Sequence, residues 1–274
     1  MKKVFREKLY NGLVQEIKIK KLLVSKKSKF QHIDIFDSES YGRVLALDGV
    51  VQMTEKDEFA YSEMLVHPLF QTSKKPPKNI LIIGGGDGAV AEEVLKYKFV
   101  RNVDLVDIDK EVVDLSKKYF KKINNNSLIH KKIKIFYADA FCFIKKSKKK
   151  YDVVIADRPD PIGAGKSLFK NEFYKNIKYI MSSNSIAVFQ SGVPFLQKKE
   201  LNEIVKDVKK TFKYSGFFLT VVPSYIGGFM ALVWASDNNN FNKIKKLKKF
   251  KLKTEYFNES IYISSHSIPN FIKK

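Results

Sequence analysis

Cysteine is all but missing from this sequence. Cys142 is the only one in 274 residues, so the chain can form no internal disulfide and no cysteine metal site. Histidine is scarce as well. His32, His67, His130 and His266 are scattered, which reads as isolated structural or surface positions, and no metal is expected. No apolar run is long enough to cross a bilayer, and the start, Met1 to Glu7, lacks an apolar signal core. The expected compartment is the cytoplasm. Acidic residues are outnumbered 29 to 51 by lysine and arginine, a net charge of +22. Such a surplus raises the question of a nucleic-acid or membrane partner. Lysine is spread almost everywhere, however, among many asparagines and isoleucines, which is a bias of composition and not a patch. Neither partner is expected. What is present is 44% hydrophobic residues, enough for a real core in one large domain or two.

Leu81-Ile82-Ile83-Gly84-Gly85-Gly86-Asp87-Gly88-Ala89-Val90 is the most informative stretch. Asn79 to Ile83 has the composition of a short strand, the glycines end it, and Ala91 to Leu95 is helical in composition. Strand, glycine turn and helix in that order form a nucleotide-binding element. Asp107, twenty residues after Asp87, ends the next strand-like run, where an acid commonly takes ribose hydroxyls. Asp87 lies inside the turn itself. A carboxylate there is a poor neighbour for a pyrophosphate, so a cationic nucleoside such as an S-adenosyl sulfonium fits better than a dinucleotide.

Residues 1–75 read as a small antiparallel β domain. Strand patterns cover 13–24, 30–36 and 41–47, and Leu47-Asp48-Gly49-Val50 reads as a tight turn. Thr54, with Asp57 three residues later, suggests the N-cap of a helix running to about Phe70. From 76 to 274 strands and helices alternate, the pattern of a parallel sheet. Strands are expected at 79–83, 102–108, 132–137, 151–156, 185–190, 215–222 and 228–236, and helices at 88–97, 110–121, 139–147, 171–181 and 195–212. The short Pro223 to Gly228 turn suggests an edge hairpin. The fold class is thus α/β, with a Rossmann-like sheet of the class I methyltransferase type behind an N-terminal antiparallel β domain. Phe241, Ile244, Leu247 and Phe250 among lysines predict a basic amphipathic helix over 241–253, packing its stripe on the domain.

Asp87, Asp107, Asp139 and Asp157 fall at successive strand ends, which line one crevice in such a sheet, and Asp160 follows three residues after Asp157. A basic protein that gathers carboxylates in its crevice binds a cation there. The motifs Leu47-Asp48-Gly49-Val50-Val51-Gln52, Gly84-Gly85-Gly86-Asp87-Gly88, and Asp157-x-x-Asp160-Pro161-Ile162-Gly163 ending in Ser167-Leu168-Phe169 resemble those of the spermidine synthases, the polyamine aminopropyltransferases. Further matches are Pro223-Ser224-Tyr225 with Gly227-Gly228, and Tyr256-Phe257-Asn258 with Ile268-Pro269. The resemblance runs in order from about residue 7 to residue 271.

That resemblance implies transfer of an aminopropyl group from decarboxylated S-adenosylmethionine to putrescine, giving spermidine and methylthioadenosine. It makes the donor a co-substrate, implies no cofactor, and suggests a homodimer or homotetramer. By position, Asp157 resembles the general base, Asp160 and Tyr225 the groups that hold the diamine, Tyr61 the tyrosine beside the attacking amine, and Gln190 the glutamine lining the diamine tunnel. Asp87 corresponds to the acid holding the donor's amine, Gln31 and Asp107 to ribose contacts, and Asp139 with Ala140 to the adenine contact. Gln52, Ser62, Gly84, Gly85, Gly86 and Ala164 complete the expected donor contacts. The sequence departs from the pattern at several points. Arg158-Pro159 replace small residues, Ala164 a proline, Ser62 a larger polar residue, and Asp107 a glutamate. Lys166 stands where an acid often lies, and Glu92 where an arginine is common. Arg158 beside Asp157 would lower its basicity unless it points away. Two other readings stand alongside: an amine N-methyltransferase on the same scaffold, and a basic RNA-binding protein.

Overall fold

The computed structural model describes residues 3–159, 167–241, 247–248 and 250–273. Five strands come first: β1 (Val4–Glu7), β2 (Gln15–Lys27), β3 (His32–Ser38), β4 (Arg43–Leu47) and β5 (Val50–Thr54), paired in chain order as an antiparallel sheet. The β4–β5 turn has Asp48 at φ 49° and Gly49 at φ 79° across the Leu47–Val50 pair, the doubly left-handed two-residue turn that matches strand twist. β1 and β5 escape the sequence patterns because one is four residues long and charged, and the other runs directly into a helical stretch.

Thr54 is not the cap of the next helix. It ends β5, and α1 (Glu58–Thr72) starts four residues later after Asp57. The Asp57 carboxylate does not cap α1 either. It accepts bonds from the Thr54 hydroxyl and from the Ser224 N–H, the latter at 2.7 Å, so tertiary partners outcompete the local cap.

The remainder alternates as expected: β6 (Asn79–Gly84), α2 (Ala89–Leu95), β7 (Asn102–Asp107), α3 (Lys110–Tyr119), α4 (Lys121–Asn124), β8 (Ile133–Tyr137), α5 (Ala140–Lys146), β9 (Tyr151–Asp157), α6 (Asn171–Ile180), β10 (Met181–Gln190), α7 (Lys198–Thr211), β11 (Tyr214–Val221) and β12 (Phe229–Ser236). Their order in the sheet is β11-β12-β10-β9-β6-β7-β8, with only β12 antiparallel to its neighbours. The edge hairpin β11–β12 is therefore where the Pro223–Gly228 turn suggested. β6 shows how this sheet is held. Ile80 and Ile82 face the core under α1 and α2, while Leu81 and Ile83 face the core under α5, α6 and α7. A strand buried on both faces reads as a continuous apolar run, and each such side chain contributes about 1.5–3 kcal/mol.

The predicted helix over 241–253 is not borne out where it can be seen. Residues 242–246 and 249 lie outside the described residues, and Leu247, Lys248 and 250–253 are not helical. Two of their backbone N–H groups go to tertiary partners. Lys248 donates its N–H to the Gln71 carbonyl at 3.1 Å, and the Leu247 N–H goes to the Glu259 carboxylate at 3.3 Å. The apolar stripe is nonetheless buried at Phe241 and Leu247. Two short helices follow, α8 (Glu259–Ser265) and α9 (Asn270–Lys273). No helix among the described residues is long and apolar enough to cross a membrane.

The N-terminal sheet docks across the ends of the parallel strands. Ile33, Ile35, Leu45 and Met53 pack on Ala89, Val112 and Phe120. Ser28 and Gln31 donate to Asp109 Oδ2 at 2.6 and 3.0 Å, and Tyr225 donates to the Gln52 carbonyl at 2.6 Å.

Candidate active site

Strand order reverses between β6 and β9, because the chain moves outward from β6 to β7 and β8 and then returns to pair β9 on the other side of β6. A crevice opens at the carboxyl ends of strands at such a reversal. Here it becomes a cavity of about 660 Å³, roofed by the N-terminal sheet. Its walls include Gln31, Gln52, Tyr61, Ser62, Gly84, Gly85, Gly86, Asp87, Asp107, Asp139, Ala140, Asp157, Gln190 and Tyr225. These are all the expected site residues except Asp160 and Ala164, which lie outside the described residues.

The glycine loop threads between two acids. Gly84 has φ 76°, and a Cβ there would sit 1.9 Å from the Asp157 carbonyl. At Gly86 a Cβ would sit 2.5 Å from Asp107 Oδ2. A side chain at Gly84 is excluded by conformation and by the backbone it would meet, and one at Gly86 would have to displace the Asp107 carboxylate. Asp87 then turns back on the start of α2, its Oδ1 accepting the Ala89 N–H at 2.7 Å. One N–H of the helix start is thereby used by the protein's own carboxylate, which accords with a loop that does not receive a pyrophosphate.

Asp157 ends β9 and accepts a 2.7 Å hydrogen bond from the Tyr61 hydroxyl. The Tyr61 ring meets the Tyr225 ring edge-on at 6.3 Å, so two phenols and one carboxylate form a corner. Gln190 ends β10, two strands from β6, and its side-chain oxygen is buried without a hydrogen-bond partner among the described residues. Asp107 accepts the Asp109 N–H at 2.8 Å, and Asp139 accepts the Cys142 N–H at 2.8 Å at the start of α5.

Asp157, Asp87 and Asp107 hold their protons more tightly than ordinary carboxyls. Burial, and next the charge of Asp87, push the Asp157 carboxyl up to about 7, against the opposing Tyr61 hydrogen bond. Burial likewise raises Asp87, and raises Asp107 to about 6. Burial and the neighbouring Asp157 hold the Tyr61 phenol well above its ordinary value. Such values mark a site short of positive charge, into which a cation is drawn.

Arg158, adjacent to Asp157, does not supply that charge. It turns away and is buried, donating from Nε to the Gln190 carbonyl at 3.1 Å, from Nη2 to the Tyr174 hydroxyl at 3.2 Å, and from Nη1 to the Leu168 carbonyl. Its guanidinium lies 3.8 Å from the centre of the Phe169 ring. The departure from small residues here thus ties the ends of β9 and β10 together, and the Asp157 carboxyl stays raised beside it.

Two acids near the site were not anticipated. Asp109 receives the Gln31 and Ser28 side chains and caps α3. Its signal was an aspartate directly ahead of a helical run. Glu58 lines the cavity, and its signal was its helical spacing to Tyr61 and Ser62. Glu63, by contrast, faces away from the described cavity walls and accepts the N–H groups of Glu255, Tyr256 and Phe257 at 2.7, 2.9 and 2.6 Å.

Comparison with known proteins gives a consistent answer. Residues 58–246 match the family model described as the spermine/spermidine synthase domain, and residues 3–55 the one described as the spermidine synthase tetramerisation domain. The chain is 42% identical over 277 residues to a polyamine aminopropyltransferase of Buchnera aphidicola subsp. Schizaphis graminum, covering 98% of this chain and 96% of that one. It is 36% identical over 279 residues to the polyamine aminopropyltransferase of Shigella boydii serotype 18, covering 99% and 96%. Among solved structures it is similar to a spermidine synthase in complex with the transition state analogue AdoDATO, with a TM-score of 0.93, 31% identity and coverage of 98% and 93%. A second, the spermidine synthase from Thermotoga maritima, gives a TM-score of 0.91 at 30% identity, covering 98% and 92%.

Proposed function

The chain belongs to the spermine/spermidine synthase family, and from that premise we propose that its cavity joins decarboxylated S-adenosylmethionine to putrescine, with Asp157 as the general base. The observation that carries this reading is the pairing of Asp87, in the glycine turn, with Asp157 beside Tyr61 in one cavity. An alkylamine has a pKa near ~10.4, so at neutral pH it arrives as a cation and cannot attack. A carboxylate at the point of attack holds that cation and then takes its proton. The freed nitrogen attacks the carbon next to the sulfonium. A C–N bond forms as the C–S bond breaks, its electrons neutralise the sulfur, and the proton leaves on Asp157. The donor carries its own activation as a positive sulfur, so the step needs no metal or cofactor. Positioning the two substrates supplies most of the gain.

The resemblance assigns the diamine to Tyr61, Gln190, Tyr225 and Asp160, and the donor nucleoside to Gln31, Asp107, Asp139 and Ala140, with Gln52, Ser62, Ala164 and the glycines around its tail. The unpaired Gln190 oxygen suits an ammonium donor. The match of residues 3–55 to a tetramerisation domain supports assembly with further copies of the chain, as a homodimer or homotetramer. Mass spectrometry of products formed from the decarboxylated donor, with putrescine, cadaverine, diaminopropane and spermidine competing, tests the reading. Spermidine and methylthioadenosine are expected. A methylated amine, formed only with intact S-adenosylmethionine, would overturn it.

A further inference from the structure

We infer that Glu58 is a second anionic contact for the donor's terminal ammonium, acting beside Asp87. This rests on the aminopropyl reading above and extends it to a residue that the sequence motifs did not bring forward.

Glu58 is the first residue of α1. Positions three and four residues apart on a helix share a face, so Glu58 stands over Tyr61 and Ser62, and all three line the cavity. The Ser62 hydroxyl donates to Glu58 Oε2 at 2.8 Å and fixes the carboxylate's direction. An acid in the first turn of a helix is common, since it complements the helix dipole. That role alone asks for no cavity-facing side chain held in place by a serine.

The charges around Glu58 are of the wrong sign for a structural ion pair. Burial, and then the charges of Asp87, Glu93 and Glu92, push its carboxyl up to about 8, against the Ser62 hydrogen bond. Lys96 is engaged elsewhere, at 2.6 Å from Glu93 and 3.3 Å from Glu92. No lysine, arginine or histidine among the described residues forms an ion pair with Glu58. Glu92 stands where an arginine is common in the family, so in this chain the position one turn into α2 carries a second acid instead of a cation. Left empty, such a carboxyl keeps its proton near neutral pH; a ligand that brings positive charge makes it release that proton to solvent and meet the ammonium as a carboxylate. On the aminopropyl reading the donor's nucleoside goes to Asp107 and Asp139, so the part of it that reaches Asp87 and α1 is the ammonium end.

The test is calorimetric titration of wild type and Glu58→Gln with decarboxylated S-adenosylmethionine and with methylthioadenosine. Gln keeps an acceptor for Ser62 but loses the charge. Methylthioadenosine has the same nucleoside and sulfur but no aminopropyl ammonium, so its binding reports an intact cavity. We expect Glu58→Gln to weaken the decarboxylated donor ten-fold or more while methylthioadenosine stays within two-fold. Glu58→Asp, which restores the charge, should recover part of the loss. Unchanged donor affinity in Glu58→Gln, or equal weakening of both ligands, would overturn the inference. A wild type that binds methylthioadenosine but neither binds nor turns over the decarboxylated donor would instead overturn the aminopropyl reading, and this inference with it.

Discussion

Replacing Asp157 by Asn should stop turnover and, in the same molecule, raise the melting temperature of the ligand-free protein above neutral pH. The Asp157 carboxyl is pushed from 3.8 to about 7, chiefly by burial and then by the charge of Asp87. Because the folded-state value is raised, the folded chain binds this proton more tightly than the unfolded chain. The group's contribution is therefore fully present below about 4 and is lost as pH rises through about 7. Three pKa units at ~1.36 kcal/mol each set an upper bound of about 4 kcal/mol on the cost of ionising Asp157 in place. Asn carries no charge at any pH and can still accept the Tyr61 hydroxyl. For a chain of this size ~1 kcal/mol corresponds to roughly 2–4 °C, so a gain of several degrees is expected at pH 8.5. At pH 5 the wild-type carboxyl keeps its proton in the fold, and the gain should fall by more than half. Differential scanning calorimetry across this range measures it, with turnover followed on the same samples. Loss of a general base should lower turnover by roughly 10²–10⁴-fold. A gain in melting temperature that does not vary with pH would refute the electrostatic argument, and near-wild-type turnover would remove Asp157 from the base position.

Asp87→Asn should weaken the decarboxylated donor strongly and narrow its advantage over intact S-adenosylmethionine, whose tail carboxylate would be repelled by Asp87; one charge-assisted bond at roughly 1.5–3 kcal/mol sets the scale, and an unchanged affinity ratio by calorimetry would place donor selection elsewhere. Glu63→Ala should strand the three N–H groups of Glu255 to Phe257 and cost at least ~3 kcal/mol in urea denaturation, an expectation that an unmoved midpoint would contradict. Leu247→Asp should destabilise by more than ~2 kcal/mol because that side chain is buried, whereas Lys248→Gln, which loses only bonds to the Ser73 and Lys74 carbonyls, should leave kinetics unchanged and cost under ~1 kcal/mol; the reverse ranking would refute the packing of this segment.

The parallel sheet was legible because its central strands β6, β7 and β9 are apolar runs closed by glycine or aspartate, and those closing residues line the cavity. Asp87, Asp107, Asp139 and Asp157 could be placed in one cavity from their positions at strand ends alone. What could not be read depends on partners distant in sequence. Thr54 and Asp57 have the spacing of a helix start, but Ser224 claims the aspartate. Phe241, Leu247 and Phe250 have helical spacing, yet the N–H groups of Leu247 and Lys248 are drawn to Glu259 and Gln71. Short polar β1 carries no period long enough to detect. The orientation of Arg158 was undecidable for the same reason, since its acceptors are the Leu168 and Gln190 carbonyls and the Tyr174 hydroxyl.

Helix α1 has a consequence for how the chain is made. Two carboxylates, Asp57 just before it and Glu63 within it, are both buried, and each finds donors far downstream: Ser224 lies 167 residues beyond Asp57, and Glu255 192 residues beyond Glu63. During synthesis α1 emerges early and waits until most of the later sheet and the strap around Phe257 have been translated. Closing loops of that length comes late and slowly, because the entropy is lost before the contacts form. Until then these two acids remain hydrated, although α1 already has α2 to pack on. The start of the helix, which carries Tyr61 and Ser62 into the cavity, is thus completed only when the late partners arrive, so an incomplete chain can hold α1 and the first strands of the sheet while still lacking a finished cavity.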